Sequence, residues 1–240
     1  MATLAACAPS TGFKEVIKHP GKYELIYYGY LQSKPDTYQV TANGKDFFLT
    51  KDTVVPSVQS IFLLENTKIN HGDDVLDIGT GAGIQAIFAA EKANKVIATD
   101  LNANAALDTK NNAIHHGLAD KIETRQGDLF APVKDNEKFD AIIFNIAYPY
   151  NKESTSLWEV HERFFAQVKK YMKPGATIYY QAGWLWNIPK IIDMIEDNGL
   201  LVMRMNMANI LRLNRQPIVF TIQEATSARA ASKEQNANKP

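Results

Sequence analysis

The chain has 240 residues, 45% apolar and 22% charged, with 26 basic side chains against 26 acidic ones. That length suits one globular domain of roughly 150–200 residues plus appendages. The balanced charge disfavours a protein living on the phosphate field of nucleic acid, and no apolar run approaches the ~20 residues of a membrane span.

The lone Cys7 excludes an internal disulfide framework and a cysteine-based metal site, and no metal is expected. Leu4-Ala5-Ala6-Cys7 lacks the basic and apolar stretches that an export signal places before its cleavage box, so a cytoplasmic protein is expected. Residues 1–53 are rich in Tyr, Phe and Lys and carry two extended segments, Tyr23–Leu31 and Thr37–Thr50. Asn43-Gly44 splits the second. This dipeptide supplies the positive φ of a type I′ turn and predicts a hairpin of Tyr38–Ala42 with Lys45–Leu49. This zone is read as an N-terminal cap or substrate subdomain, with Tyr23, Tyr27, Tyr28, Tyr30, Phe47 and Phe48 shaping a substrate or forming a small core. Residues 54–225 are read as the main domain and 226–240, without apolar period, as a disordered tail.

Pro56 marks a helix start with Val58, Ile61, Phe62 and Leu64 on its buried stripe. Short β-rich runs then follow at Val75–Ile78, Val96–Thr99, Ile122–Arg125, Phe139–Phe144, Thr177–Tyr180, Leu200–Met205 and Ile218–Ile222. Helical stretches at Gly83–Lys92, Asn104–His116, Leu157–Tyr171 and Pro189–Asp197 separate them, with a polar link at Leu129–Lys138. This alternation demands right-handed crossovers, hence an α/β fold with a mostly parallel sheet. The sixth and seventh runs are joined by about a dozen residues without a helix, so the last strand is expected to return antiparallel.

In such sheets ligands bind where the strands end. The first strand runs into Asp77-Ile78-Gly79-Thr80-Gly81-Ala82-Gly83, a turn in which glycines let backbone approach a ligand. The dinucleotide pattern wants a sixth-position glycine, and Ile84 stands there. The second strand leads to Asp100-Leu101-Asn102, about twenty residues beyond the glycines, where a carboxylate meets both hydroxyls of a ribose. The third leads to Gly127-Asp128-Leu129, where Asp128 is placed to accept from an adenine amino group. Each acid taken alone also reads as a helix cap or a solvated turn, but three at successive strand ends beside the glycine turn point to a ligand.

The fourth strand, Phe139-Asp140-Ala141-Ile142-Ile143-Phe144, ends in Asn145-Ile146-Ala147-Tyr148-Pro149-Tyr150. Together with Val75–Gly83, it makes residues 54–225 resemble the class I S-adenosylmethionine-dependent methyltransferases. The likeness is to the amino-methylating branch whose signature at this place is Asn-Pro-Pro-Tyr, as in the methyltransferase small-domain and release-factor glutamine methyltransferases. The resemblance implies a Rossmann-like seven-stranded sheet and S-adenosyl-L-methionine as cofactor, held by Asp77, Gly79, Thr80, Gly81, Gly83, Asp100, Leu101, Asn102, Asp128, Leu129 and Asn145. It implies that the Asn145 side-chain carbonyl and the Ile146 backbone carbonyl accept hydrogen bonds from the target amine, with Tyr148 packing on the flat target group. Tyr150, stiffened by Pro149, is the alternative stacking aromatic. Ile146 and Ala147 replace both signature prolines, which removes the rigidity of that loop.

Two further features are placed on the same edge. Trp184, after the fifth strand, floors a substrate pocket or packs under the next helix. Arg212, with Arg204 and Arg215, receives a substrate carboxylate or phosphate or is a solvated loop. His115-His116 reads as surface, and no His or Glu dyad suggests a strong general base. The leading reading is an N-methyltransferase for a planar amine or amide of a small molecule or protein side chain. A tRNA or rRNA base methyltransferase is the second reading, nucleic acid being less favoured. A catalytically idle S-adenosylmethionine-binding partner protein is the third. The sequence sets no oligomeric state.

Overall fold

The computed structural model describes residues 15–17, 24–31, 34–147, 155–208 and 215–225. Strands β1 (Glu15–Ile17), β2 (Leu25–Leu31), β3 (Lys34–Ala42) and β4 (Lys45–Thr50) form an antiparallel sheet in sequence order. Asn43 and Gly44 take φ of 46° and 76°, so the expected type I′ hairpin is present, with Ala42 opposite Lys45 and Tyr38 opposite Leu49. Tyr38, Val40, Ala42, Phe47 and Leu49 bury one face.

The open edge of β4 is closed by side chains of a helix. From α3 (Ala103–His115), Asn112 accepts the Phe48 N–H at 2.9 Å and donates to the Phe48 carbonyl at 2.8 Å, as a neighbouring strand would. One turn earlier, Asp108 accepts from the Thr50 N–H and the Thr53 hydroxyl. Leu25, Tyr38, Phe47 and Leu49 share a single buried cluster with Ile61, Ile87 and Val96 of the following α/β part.

That part is a seven-stranded sheet of β5 (Asp74–Ile78), β6 (Lys95–Asp100), β7 (Ile122–Gln126), β8 (Phe139–Phe144), β9 (Met172–Trp184), β10 (Leu200–Met207) and β11 (Arg215–Glu224), in the order β10-β11-β9-β8-β5-β6-β7. The first five are mutually parallel. Strand β11 is antiparallel to both β9 and β10, so the last strand reverses as expected and β10 points with the first five. Side chains alternate between two cores. Ala141 and Ile143 face the cluster containing α1 (Val58–Asn66) and α2 (Ile84–Ala90), whereas Ile142 and Phe144 face α4 (Thr155–Val168) and α5 (Ile188–Asp197). Burial on both faces explains why the central strands β5, β6 and β8 read as largely apolar runs, unlike the edge strands β7 and β10.

Strand β9 starts five residues before the expected Thr177. Gly175, at φ 81°, forms an irregularity between the Met172–Phe139 and Thr177–Ala141 pairs, and the proline beside it hides this stretch from a strand reading. The helix expected over Gly83–Lys92 is shorter, because Gly83 is its left-handed N-cap and it ends at Ala90. No described helix is long and apolar enough to cross a membrane. The chain leaves β5 outward to β6 and β7, then returns to the other side of β5 as β8. The crevice of this sheet therefore opens between the carboxyl ends of β5 and β8.

Candidate active site

A cleft of about 680 Å³ lies over that crevice. Its walls are the start of α1, the turn after β5, the ends of β6, β7 and β8, and one face of α4. Gly79, Gly81 and Gly83 take φ of 74°, 58° and 85°. The Gly79 and Thr80 N–H groups donate to the Thr99 carbonyl at 2.8 and 3.0 Å, which folds the turn back onto β6. A Cβ on Gly79 would overlap the Ile146 side chain, so this glycine lets the end of β8 pack against the end of β5. Around Gly81 there is open space, and its requirement is conformational alone.

Asp77 lies fully buried beneath the turn, where Thr80 Oγ1 donates to its Oδ2 at 2.7 Å. Burial raises its carboxyl from the ordinary 3.8 to about 7; the Asp100 charge adds to the rise, while the Thr80 hydroxyl and Ala86 amide oppose it. Between about pH 4 and pH 7 the native protein thus holds a proton that the unfolded chain has released, so this group's contribution to stability falls as pH rises through that window. Asp77→Asn has no such proton. Its melting temperature relative to the wild type is expected to rise progressively from about pH 5 to about pH 7. A difference that does not change with pH would contradict this.

Asp100 is held by two backbone donors, with Gly81 N–H on Oδ2 at 3.0 Å and Asn102 N–H on Oδ1 at 2.9 Å. Each oxygen keeps a second lone pair. Leu101 is 70% exposed at the cleft. The Asn102 side chain is committed locally: its oxygen caps α3 through the Asn104 N–H, and its nitrogen donates to the Asp52 carbonyl. Asp128 is ion-paired to Arg163 of α4 at 2.6 Å, and Leu129, at φ 48°, turns its side chain into the core. Asn145 donates from Nδ2 to Ser60 Oγ of α1 at 3.3 Å.

The cleft thus brings together Gly79, Thr80, Gly81, Asp100, Leu101, Asn102, Asp128, Leu129, Asn145 and Ile146. Asp77 and Gly83 lie behind it, and Trp184 stacks on Trp186 (centroids 4.4 Å apart) at the end of β9, outside its lining. Tyr148, Tyr150 and Arg212 lie outside the described residues. Sequence reasoning missed Ser60, His161 and Arg163. The only signal for Arg163 is its spacing from Leu157 and Val160, which puts all three on one helical face at the cleft. No metal-ligand cluster occurs among the described residues.

Fold and cleft have the form of a Rossmann-like methyltransferase. Residues 57–195 match the model of the methyltransferase small domain, and the chain belongs to that family. It is 29% identical over 178 residues to a Methanocaldococcus jannaschii protein provisionally named a protein N5-glutamine methyltransferase, covering 68% of this chain and 88% of that one. It is 26% identical to a release factor glutamine methyltransferase of Clostridium acetobutylicum, covering 58% of each chain. The solved M. jannaschii tRNA m1G37 methyltransferase superposes with a TM-score of 0.64 at 17% identity, over 80% of this chain and 58% of that one, a likeness of fold. The donor of the family is S-adenosylmethionine, and the site fits it: a three-glycine turn open at Gly81, beside a carboxylate with free lone pairs.

Proposed function

We propose that the protein methylates the side-chain amide nitrogen of a glutamine in a protein substrate. The observation that carries this reading is the orientation of Asn145. Its Nδ2 is occupied by Ser60 Oγ, which turns Oδ1, an acceptor, to the opposite side of the amide. With the Ile146 carbonyl, it offers two acceptors to the two N–H bonds of a primary amide. The names of the Methanocaldococcus and Clostridium relatives support the same acceptor class.

Asp100 would hold the donor's ribose hydroxyls, Asp128 and Leu129 its adenine, and the Gly79–Gly83 turn its remaining length. When bound, the donor supplies a methyl group already activated on a sulfonium sulfur. Asn145 and Ile146 then have one task, because an amide lone pair is delocalised and weakly nucleophilic. By accepting both N–H bonds they fix the nitrogen and aim its lone pair into the cleft. The new N–C bond would form as the S–CH3 bond breaks, leaving a neutral thioether, and one N–H proton would pass from nitrogen to solvent afterwards, so no strong base is needed beforehand. Ile146 and the apolar Leu157 and Val160 line the cleft and limit water there.

The test is transfer from methyl-labelled S-adenosylmethionine to a glutamine-containing peptide from a release factor, beside a tRNA transcript. Label on the peptide's glutamine is expected. Label on the transcript, with activity falling steeply as salt rises, would replace this reading by base methylation. Donor binding without transfer to either would indicate an idle binding protein.

A further inference from the structure

Asn145, Ile146 and Ala147 follow β8 without regular secondary structure, and none of the three fixes its own φ as a proline would. Each is instead anchored to a different element. Asn145 Nδ2 bonds Ser60 on α1, the Ile146 side chain packs over Gly79, and the Ala147 carbonyl bonds His161 on α4. The third anchor is the unusual one. His161 is fully buried, with Nε2 3.0 Å from the Ala147 oxygen and Nδ1 2.9 Å from the Tyr180 hydroxyl.

The direction of both bonds follows from elementary chemistry. A carbonyl only accepts, so Nε2 carries the proton. Burial depresses the imidazole from 6.5 to about 4, so at neutral pH Nδ1 is bare and the Tyr180 hydroxyl donates to it. Tyr180 is the β9 residue paired with Phe144, which immediately precedes Asn145, and the Phe144 ring lies edge-on to the imidazole at 78° and 5.4 Å. The Tyr180–His161–Ala147 chain therefore begins on β9 beside the last residue of β8 and ends on the segment that follows β8. A hydrogen-bonded histidine deep in an apolar core, spent on one carbonyl of an irregular segment, has little to offer packing that phenylalanine would not.

We infer that His161, oriented by Tyr180, is a positioning residue that holds the Asn145–Ala147 backbone so that the two acceptors meet the substrate amide. The inference rests on the reading of Asn145 and the Ile146 carbonyl as those acceptors. Neither His161 nor Tyr180 touches the reacting atoms; they act through the Ala147 carbonyl.

The full-length protein is tested as His161→Phe, His161→Gln and Tyr180→Phe beside Asn145→Ala. Readouts are transfer to the glutamine-containing peptide, S-adenosylmethionine affinity by calorimetry, and amide hydrogen exchange at residues 145–147. His161→Phe keeps the ring and loses both bonds. Its kcat is expected to fall by roughly tenfold or more, with donor affinity changed by less than about twofold and exchange of the three amides accelerated. His161→Gln again offers an N–H to the carbonyl and should recover most of the loss. Tyr180→Phe, which leaves the imidazole in place, should fall between and serves if His161→Phe does not fold. In the wild type, nitrogen-15 spectra should show a neutral His161 protonated on Nε2.

Wild-type kcat and exchange in His161→Phe, or a glutamine variant as slow as the phenylalanine one, would overturn the inference even with Asn145→Ala inactive. Full turnover in Asn145→Ala, with exchange still accelerated in His161→Phe, would instead overturn the acceptor reading and leave the clamp standing.

Discussion

Asn145→Ala is expected to lower kcat for the glutamine peptide by about 100-fold, close to 2.7 kcal/mol of transition-state stabilisation, the scale of removing one preorganised polar group from a reacting centre. Donor affinity should stay within about twofold, since Asp100 and the glycine turn would carry that binding. The physical reason lies in the acceptor. One of two N–H bonds on the substrate amide would lose its partner, and with it the restraint on where the nitrogen lone pair points. The substitution also frees Ser60 Oγ from the Asn145 amide, but that hydroxyl still accepts from the Ser57 N–H at the start of α1. A large loss of thermal stability is therefore not expected. Steady-state kinetics with the peptide saturating separates the cases: unchanged kcat would remove Asn145 from the reaction, and a rise in donor Kd of the same size as the fall in kcat would move its role to cofactor binding.

The second large effect is expected at Asp100. Asp100→Ala should weaken S-adenosylmethionine binding by about 1–3 kcal/mol, or roughly 5- to 150-fold in Kd, the range for charge-assisted hydrogen bonds to two hydroxyls. The structure adds a second consequence. The same carboxylate accepts the Gly81 and Asn102 N–H groups, so the alanine variant also strips partners from the glycine turn and from the entry to α3. A lower melting temperature should accompany the lost affinity, measured without ligand. Affinity unchanged by calorimetry would show that the ribose lies elsewhere. A fall in stability with no fall in affinity would make Asp100 a brace for the turn alone.

Much of the fold is legible in local chemistry. Asn43-Gly44 has few alternatives to a tight hairpin turn, and its strands are where that turn puts them. Short β-rich runs separated for the most part by helical stretches are sufficient for a parallel sheet, and a connection too short for a crossover reverses β11. The limits of elements were less legible wherever a distant partner sets them. Strand β9 continues through an irregularity at Gly175 and on to Trp184 because β11 is there to pair with it, which no window around Thr177–Tyr180 contains. The edge of β4 is closed by Asn112 and Asp108, more than fifty residues away, whose sequence context is an ordinary amphipathic helix.

The candidate site divides the same way. Glycines 79, 81 and 83 and acids 77, 100 and 128 stand at strand ends in the sequence, because a turn that must adopt positive φ and a carboxylate at a strand terminus are local requirements. The roles proposed for them rest on residue type and position in a βα unit. What residue type cannot express is who else attends the cleft. Strand β8 lies beside β5 only through the sheet order, and that adjacency adds to the positive φ of Gly79 a second reason for glycine, the Ile146 side chain packed over it. Ser60, His161 and Arg163 reach Asn145, Ala147 and Asp128 across 85, 14 and 35 residues. Each sits on a helix whose local pattern says only which face is buried. Periodicity encodes burial, whereas a hydrogen bond between remote segments depends on the packing of whole elements, and it is this packing that sets the Asn145 amide against Ser60 at the cleft.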